Sequence, residues 1–166
     1  ARKEIRTSLD KALEEIRAIS RGLALPELEE LDVAGLVRRA VTERETQSGY
    51  SVDLRFEGSK PKTLSYAAKL CIYRFLQEGL SNAFRHGKVE TAVVTVTGMP
   101  ECVRINIEDA GEGFNVRDPI QLDAHGGQGL IGLKDRVESI GGSLTIESNI
   151  GKGTVLTLEI DTEETA

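Results

Sequence analysis

Apolar and polar positions along the chain change their period several times, and each change marks an element. Ile5, Leu9, Ala12, Ile16, Ile19 and Leu23 recur in alternating steps of four and three. That spacing predicts a helix over 1–24 with an a/d seam, long enough for a seam but short of three heptads. Pro26 ends it. Asp32 is placed to cap a second helix over roughly 33–48, with Val33, Leu36, Val37, Ala40 and Val41 on one side. The period then drops to two: Val52, Leu54 and Phe56 alternate with polar residues and predict a strand. Residues 64–86 return to helical spacing. Thr91 to Thr97 is β-branched, and Val103, Ile105 and Ile107 alternate with Arg104, Asn106 and Glu108, so two more strands flank the turn Met99-Pro100-Glu101. No period survives from Ala110 to Gln128, which predicts a long loop. Leu130, Leu133, Val137 and Ile140 predict a helix ending at Gly141-Gly142. Leu144 and Ile146, then Leu156, Leu158 and Ile160, predict a final hairpin around Asn149-Ile150-Gly151. Helices and strands fall in segregated runs. The expected class is α+β: a mainly antiparallel sheet with helices on one face.

Composition narrows the function. The 166 residues suit one domain with an appendage. A net charge of −6 argues against non-specific binding to nucleic acid or acidic membranes. Cys71 and Cys102 are too few for a disulfide scaffold or a four-cysteine metal site, and both read as small core residues in a reducing compartment. No run of about 18 apolar residues and no leader opens the chain. The first residues already read as helix interior, so an excised piece of a longer protein is expected. Ten of the 17 glycines lie between Gly111 and Gly153, which directs attention to the C-terminal half.

Three stretches there carry chemistry. Glu78, Asn82, Arg85 and His86 share one helix face at about 100° per residue, and a carboxylate, an amide, a guanidinium and an imidazole suit phosphate and metal chemistry. A solvated face is the plainer alternative. Asp109-Ala110-Gly111-Glu112-Gly113 follows a strand; a carboxylate there could accept from an exocyclic amine while glycines let backbone approach a ring, although Asp-x-Gly is also an ordinary turn. Gly126-Gly127-Gln128-Gly129-Leu130 opens a helix, where free N–H groups and the helix dipole favour an anion. Gly127, Gly129 and Gly132 spell G-x-G-x-x-G, but a polar loop rather than a strand precedes them, so a dinucleotide fold is rejected. A P-loop, a zinc-ligand spacing and a nucleophile elbow are absent from the sequence. His125 reads as an exposed loop residue.

In combination these motifs resemble the GHKL ATPase superfamily over about 51–160: Glu78-x-x-x-Asn82, Asp109-x-Gly111-x-Gly113, Gly127-x-Gly129-Leu130 and Gly153-Thr154 stand in that order. More finely, Gln77-Glu78-Gly79-Leu80-Ser81-Asn82-Ala83-Phe84-Arg85-His86 and Gly129-Leu130-Ile131-Gly132-Leu133-Lys134-Asp135-Arg136-Val137 resemble sensor histidine kinases paired with helix-turn-helix response regulators. Residues 13–23 and Pro26-Glu27-Leu28 resemble the second helix of that class's dimerisation hairpin and its exit. The resemblance implies a Bergerat ATP-binding fold, a two-layer sandwich with a mixed, mainly antiparallel sheet, preceded by an N-terminal helix. It implies two parts: 1–26, a partial hairpin, and 27–166, the ATP-binding catalytic domain.

The same resemblance implies roles. Asp109 would bind the adenine amino group, supported by Thr154, and Gly111 and Gly113 would let the loop fold over ATP. Asn82 would coordinate Mg²⁺. Arg85 and His86 would lie near the phosphates, with Gly127, Gly129 and Leu130 in the lid. Glu78 would be the catalytic carboxylate. The implied partners are ATP, a cognate response regulator and a second copy through the hairpin, with no nucleic acid and no membrane contact by this stretch. The implied location is cytoplasmic, either free or as part of a membrane-anchored sensor. The acceptor-bearing helix is not in this sequence, so ATP binding without self-phosphorylation is expected. The alternatives are an anti-sigma-factor serine/threonine kinase of the superfamily and a non-catalytic nucleotide-sensing scaffold.

Overall fold

The computed structural model describes Ile5, Ala12, Leu13 and residues 26–163. Ile5, Ala12 and Leu13 are helical, and the rest of the helix expected over 1–24 lies outside the described residues. The chain divides into two units, Ala1–Glu30 and Leu31–Ala166. In the first, a 3₁₀ turn spans Pro26–Leu28.

Among its described residues the second unit carries four helices and five strands. Helix α1 runs over Val33–Ser48; Asp32 caps it by accepting from the Gly35 N–H at 2.8 Å. It stops at Gly49, whose φ of 75° is left-handed. Strand β1, Ser51–Gly58, leads into helix α2, Tyr66–Arg85, capped by Ser65 accepting from Ala68 N–H at 3.1 Å. Strands β2 (Thr91–Gly98) and β3 (Cys102–Asp109) form the expected hairpin. Helix α4 spans Gly127–Ser139, and β4 (Ser143–Asn149) pairs with β5 (Gly153–Asp161) in the last hairpin.

One expectation fails between β3 and α4. The stretch 110–128 is not all loop: a six-residue helix, α3, spans Pro119–Ala124. Asp118 caps it by accepting from Ile120 N–H at 3.0 Å, and Pro119 enters its first turn with φ preset. Six residues are too few to display a period, so only the Asp-Pro pair announced it.

The sheet order is β1-β2-β3-β5-β4. All neighbours are antiparallel except β1 with β2, whose parallel pairing requires the crossover that α2 supplies. Val94, Val96, Ile105, Ile107, Leu144, Leu156 and Leu158 are buried on one face, and α2 packs on it with α1 and α4 at its sides. The opposite face is polar. Arg104 pairs with Glu159 at 2.7 Å and Asn106 donates to Thr157 Oγ1 at 2.9 Å across it. This is the expected two-layer α+β sandwich. At the β1 edge the alternation is only half realised: Phe56 stays 40% exposed, with the Arg38 guanidinium 4.6 Å above its ring. Cys71 is buried and Cys102 half-buried, both as free thiols.

Candidate functional site

The end of β3, the start of β5 and the C-terminal half of α2 border one hollow. It is lined by Asn82, His86, Asp109, Gly113, Leu130 and Thr154, all anticipated from the sequence, together with Gly79, Ala83, Gly87, Phe114, His125 and Leu156. The remaining free volume is about 20 Å³, room for about one water.

Asp109 closes β3 and stands opposite Thr154 across the β3–β5 ladder. Its Oδ1 accepts from Gly111 N–H at 2.9 Å, so the carboxylate is oriented by the loop that follows it. Burial pushes its pKa above the usual carboxylate value, while the backbone N–H groups of Gly111 and Thr154 pull the other way. Gly113 has φ 62°, and a Cβ there would stand 2.0 Å from the Asn149 carbonyl oxygen, so the position admits glycine alone. Phe114 N–H donates to Ser148 Oγ at 2.9 Å, which ties this loop to the end of β4.

The helix face expected to carry four polar groups divides. Asn82 and His86 line the hollow, about 40° apart around α2. Glu78 and Arg85 do not. They fall about 40° and 60° to the other side of Asn82, and both are exposed. Glu78 lies against the first turn of α4 instead: a Cβ at Gly129 would stand 2.9 Å from Glu78 Oε2. A carboxylate there meets the positive end of the helix dipole. Arg85 acts on the hollow through its charge. Burial first, then Arg85 and His125, hold the His86 pKa below its usual value, so His86 is neutral at pH 7.

The glycine segment is likewise divided. Leu130 reaches the hollow, but Gly127 is buried against α3, where a Cβ would stand 2.5 Å from Leu122 Cγ. Gly126, not singled out as a ligand, is the close neighbour of Asn82. Its φ is 76°, a Cβ would stand 2.3 Å from Asn82 Oδ1, and Asn82 Nδ2 donates to its carbonyl at 3.4 Å.

Two further residues were not assigned to the site from the sequence. His125 is half-buried rather than exposed. Its Nδ1 lies 2.9 Å from the Gln121 carbonyl, which can only accept, so Nδ1 is the donor in that bond. The ring stacks on Phe114 (centroids 4.6 Å, planes 16° apart) and faces His86 at 6.0 Å. Ser148 is 5% exposed and bonds to Thr154 Oγ1 at 2.8 Å.

Among the described residues no group of three or more His, Cys, Asp or Glu could hold a metal ion. The site thus fits only a cation that brings most of its ligands with it, to which Asn82 offers one amide oxygen.

Residues 68–164 match the model of the family described as histidine kinase-, DNA gyrase B-, and HSP90-like ATPase. Among curated proteins, the signal transduction histidine-protein kinase/phosphatase DegS of Bacillus subtilis (strain 168) is 29% identical over 136 residues, covering 80% of this chain and 35% of that protein. DegS of Brevibacillus brevis is 27% identical over 164 residues, covering 98% and 41% respectively. The oxygen sensor histidine kinase NreB of Staphylococcus carnosus (strain TM300) is 27% identical over 159 residues, covering 95% and 44%. The chain therefore spans less than half the length of each of these relatives.

Proposed function

The chain belongs to the histidine kinase-, DNA gyrase B-, and HSP90-like ATPase family, and on that premise we propose that it is the ATP-binding catalytic domain of a two-component sensor histidine kinase. The observation that carries this reading is the convergence, on one hollow, of Asn82, Asp109, Gly113, Leu130 and Thr154 from four separate stretches of chain. The kinase names of its relatives favour phosphoryl transfer over the family's other activities.

In this reading Asp109 accepts a hydrogen bond from the adenine amine, and Thr154 supports it. Gly111 and Gly113 shape the loop beside the base. Asn82 would hold Mg²⁺ through its amide oxygen, and that ion, when bound, would supply charge neutralisation for the transfer. His86, neutral, approaches a phosphate oxygen as a hydrogen-bond donor, and the N-terminal turn of α4, with Gly127, Gly129 and Leu130, supplies lid backbone. Arg85, exposed beside His86, adds positive potential at the mouth. During transfer the bond from the γ-phosphorus to its bridging oxygen breaks and a bond to an imidazole nitrogen of the acceptor histidine forms. The leaving group is ADP. Glu78, exposed beside α4, takes the proton from the other imidazole nitrogen. Residues 1–26 serve as one helix of a dimerisation hairpin; Ile5, at a seam position, is 66% exposed. The partners are a second copy, ATP and a response regulator, and the setting is cytoplasmic. Among the described residues, no helix is long and apolar enough to cross a membrane.

The test is calorimetric titration with a non-hydrolysable ATP analogue, with and without Mg²⁺ and against GTP. Labelled ATP is then supplied with a separate acceptor hairpin. Adenine-selective binding followed by acid-labile label on the hairpin is expected. Binding without transfer would favour a nucleotide-sensing scaffold, and label on serine would favour a serine kinase.

A further inference from the structure

Ser148 is the last core-facing residue of β4, in register with Thr154 of β5. It is 5% exposed, one of two buried polar or charged side chains among the described residues. Its hydroxyl meets three groups: Phe114 N–H at 2.9 Å, the Gly153 carbonyl at 3.0 Å, and Thr154 Oγ1 at 2.8 Å.

A hydroxyl has one hydrogen and two lone pairs, and that count decides the arrangement. The Phe114 amide can only donate, so it occupies one lone pair. The Gly153 carbonyl can only accept, so it takes the hydrogen. One lone pair is left for Thr154, which must therefore turn its own hydrogen toward Ser148. Every other arrangement leaves one of the three contacts unmade in a site shielded from water, where an unmade bond is costly. With its hydrogen spent, Thr154 Oγ1 offers only lone pairs to the hollow that it lines. Asp109, its partner across the ladder, is an acceptor as well. Two acceptors stand side by side at this end of the hollow.

We propose that Ser148 is a positioning residue: by fixing the hydroxyl hydrogen of Thr154 between Phe114 and Gly153, it makes the pocket select a purine with a 6-amino group over one with a 6-oxo group. This rests on the nucleotide reading given above. A 6-amino group brings donors to the acceptor pair. A 6-oxo group brings an acceptor, and only a free Thr154 hydroxyl could turn to meet it. Ser148 is thereby a specificity determinant that touches no ligand.

The experiment compares affinities for ATP and inosine triphosphate in the wild type, Ser148→Ala, Thr154→Val and the double variant, by calorimetry at fixed salt and Mg²⁺. In Ser148→Ala the ATP preference is expected to fall by about five- to tenfold, the worth of one neutral hydrogen bond. In the Thr154→Val background the same substitution is expected to leave the preference unchanged. A merely structural role would weaken both nucleotides alike, and an unchanged preference in folded Ser148→Ala overturns the proposal. Should Ser148→Ala fail to fold, the wild type decides with 1-deaza-ATP, which lacks the N1 acceptor. An acceptor-only Thr154 predicts binding within about twofold of ATP, and a tenfold loss overturns it. If the wild type binds no ATP at all, the nucleotide reading fails first and takes this inference with it.

Discussion

Asp109→Asn separates what the carboxylate costs the fold from what it does for the ligand. Asp109 is half-buried, and the groups that stabilise its charge are the backbone N–H groups of Gly111 and Thr154; no basic side chain is among them. Its pKa is therefore raised in the folded chain. A group of that kind contributes stability that is fully present below its unfolded pKa and is lost as pH rises through its folded value. At pH 7 the wild type bears the burial of that charge, and the asparagine variant does not. An amide keeps an oxygen for Gly111 N–H, whose distance to Oδ1 is 2.9 Å. The expected variant is thus at least as stable as the wild type at pH 7, with the difference narrowing as pH falls through the carboxylate range. Toward ATP the effect is opposite. Replacing a charged acceptor by a neutral one removes roughly 1.5–3 kcal/mol, about 10- to 150-fold in Kd. Thermal unfolding across pH 3–8 reads the first effect and calorimetric titration at fixed salt the second. A folded variant that binds ATP within twofold of the wild type would remove Asp109 from the base site. A large loss of stability at pH 7 would refute the electrostatic account.

Asn82→Ala is expected to weaken Mg²⁺-ATP binding more than metal-free ATP binding; equal losses in titrations with and without Mg²⁺ would refute its metal role. Gly79→Ala places a Cβ 2.4 Å from Ile107 Cδ1 and 3.0 Å from Leu156 Cδ1 on the pocket floor. Overpacking of that kind costs about 1–3 kcal/mol, and scanning calorimetry should show Tm lowered by about 2–4 °C per kcal/mol; an unchanged Tm would mean the floor yields freely. His125→Ala removes the ring stacked on Phe114, and stopped-flow mixing should show faster nucleotide association with a lower Kd. A higher Kd would make His125 a ligand contact rather than an obstacle.

Strands β3, β4 and β5 were legible because each alternates over one solvated face, β2 because its run is β-branched, and α1 because Asp32 and an apolar stripe bound it. The sheet order was not, since the parallel β1–β2 pair is made by residues about 40 apart and no local pattern encodes it. At the site, Asp109 and Thr154 carried a legible rule that also reaches Ser148. Val103, Ile105 and Ile107 lead to Asp109; Ile160, Leu158 and Leu156 lead to Thr154; Leu144 and Ile146 lead to Ser148. Each is the polar terminus of an apolar alternation, on the core-facing parity. A polar group at such a position must find partners or a ligand. Glu78 and Arg85 were grouped with Asn82 and His86 because periodicity gives angles but not where the facing wall stands. α3 and the Phe114–His125 stack depend on a loop returning across the helix, which no local signal announces.

The two ends of the hollow differ in what they can do. At the base end Asp109, Thr154 and Ser148 sit in β3, β5 and β4, locked by ladder hydrogen bonds on both sides of β5. At the other end Asn82 and His86 face Gly126 and His125, which belong to the stretch around the short helix α3. A free volume of about 20 Å³ is far below the roughly 300–1,000 Å³ typical of small-molecule sites. Room for a nucleotide must come from the second end, because the first cannot move without breaking strand pairing. Apparent affinity then contains the population of the opened arrangement, and intrinsic affinity is divided by that fraction. Substitutions at the two ends should consequently separate. His125→Ala changes affinity for ATP and inosine triphosphate by the same factor, since opening precedes any contact with the base. Ser148→Ala changes their ratio. A His125→Ala variant that shifted the ratio, with Ser148 intact, would mean that the lid reads the base as well, and the division between a rigid reading end and a moving covering end would fail.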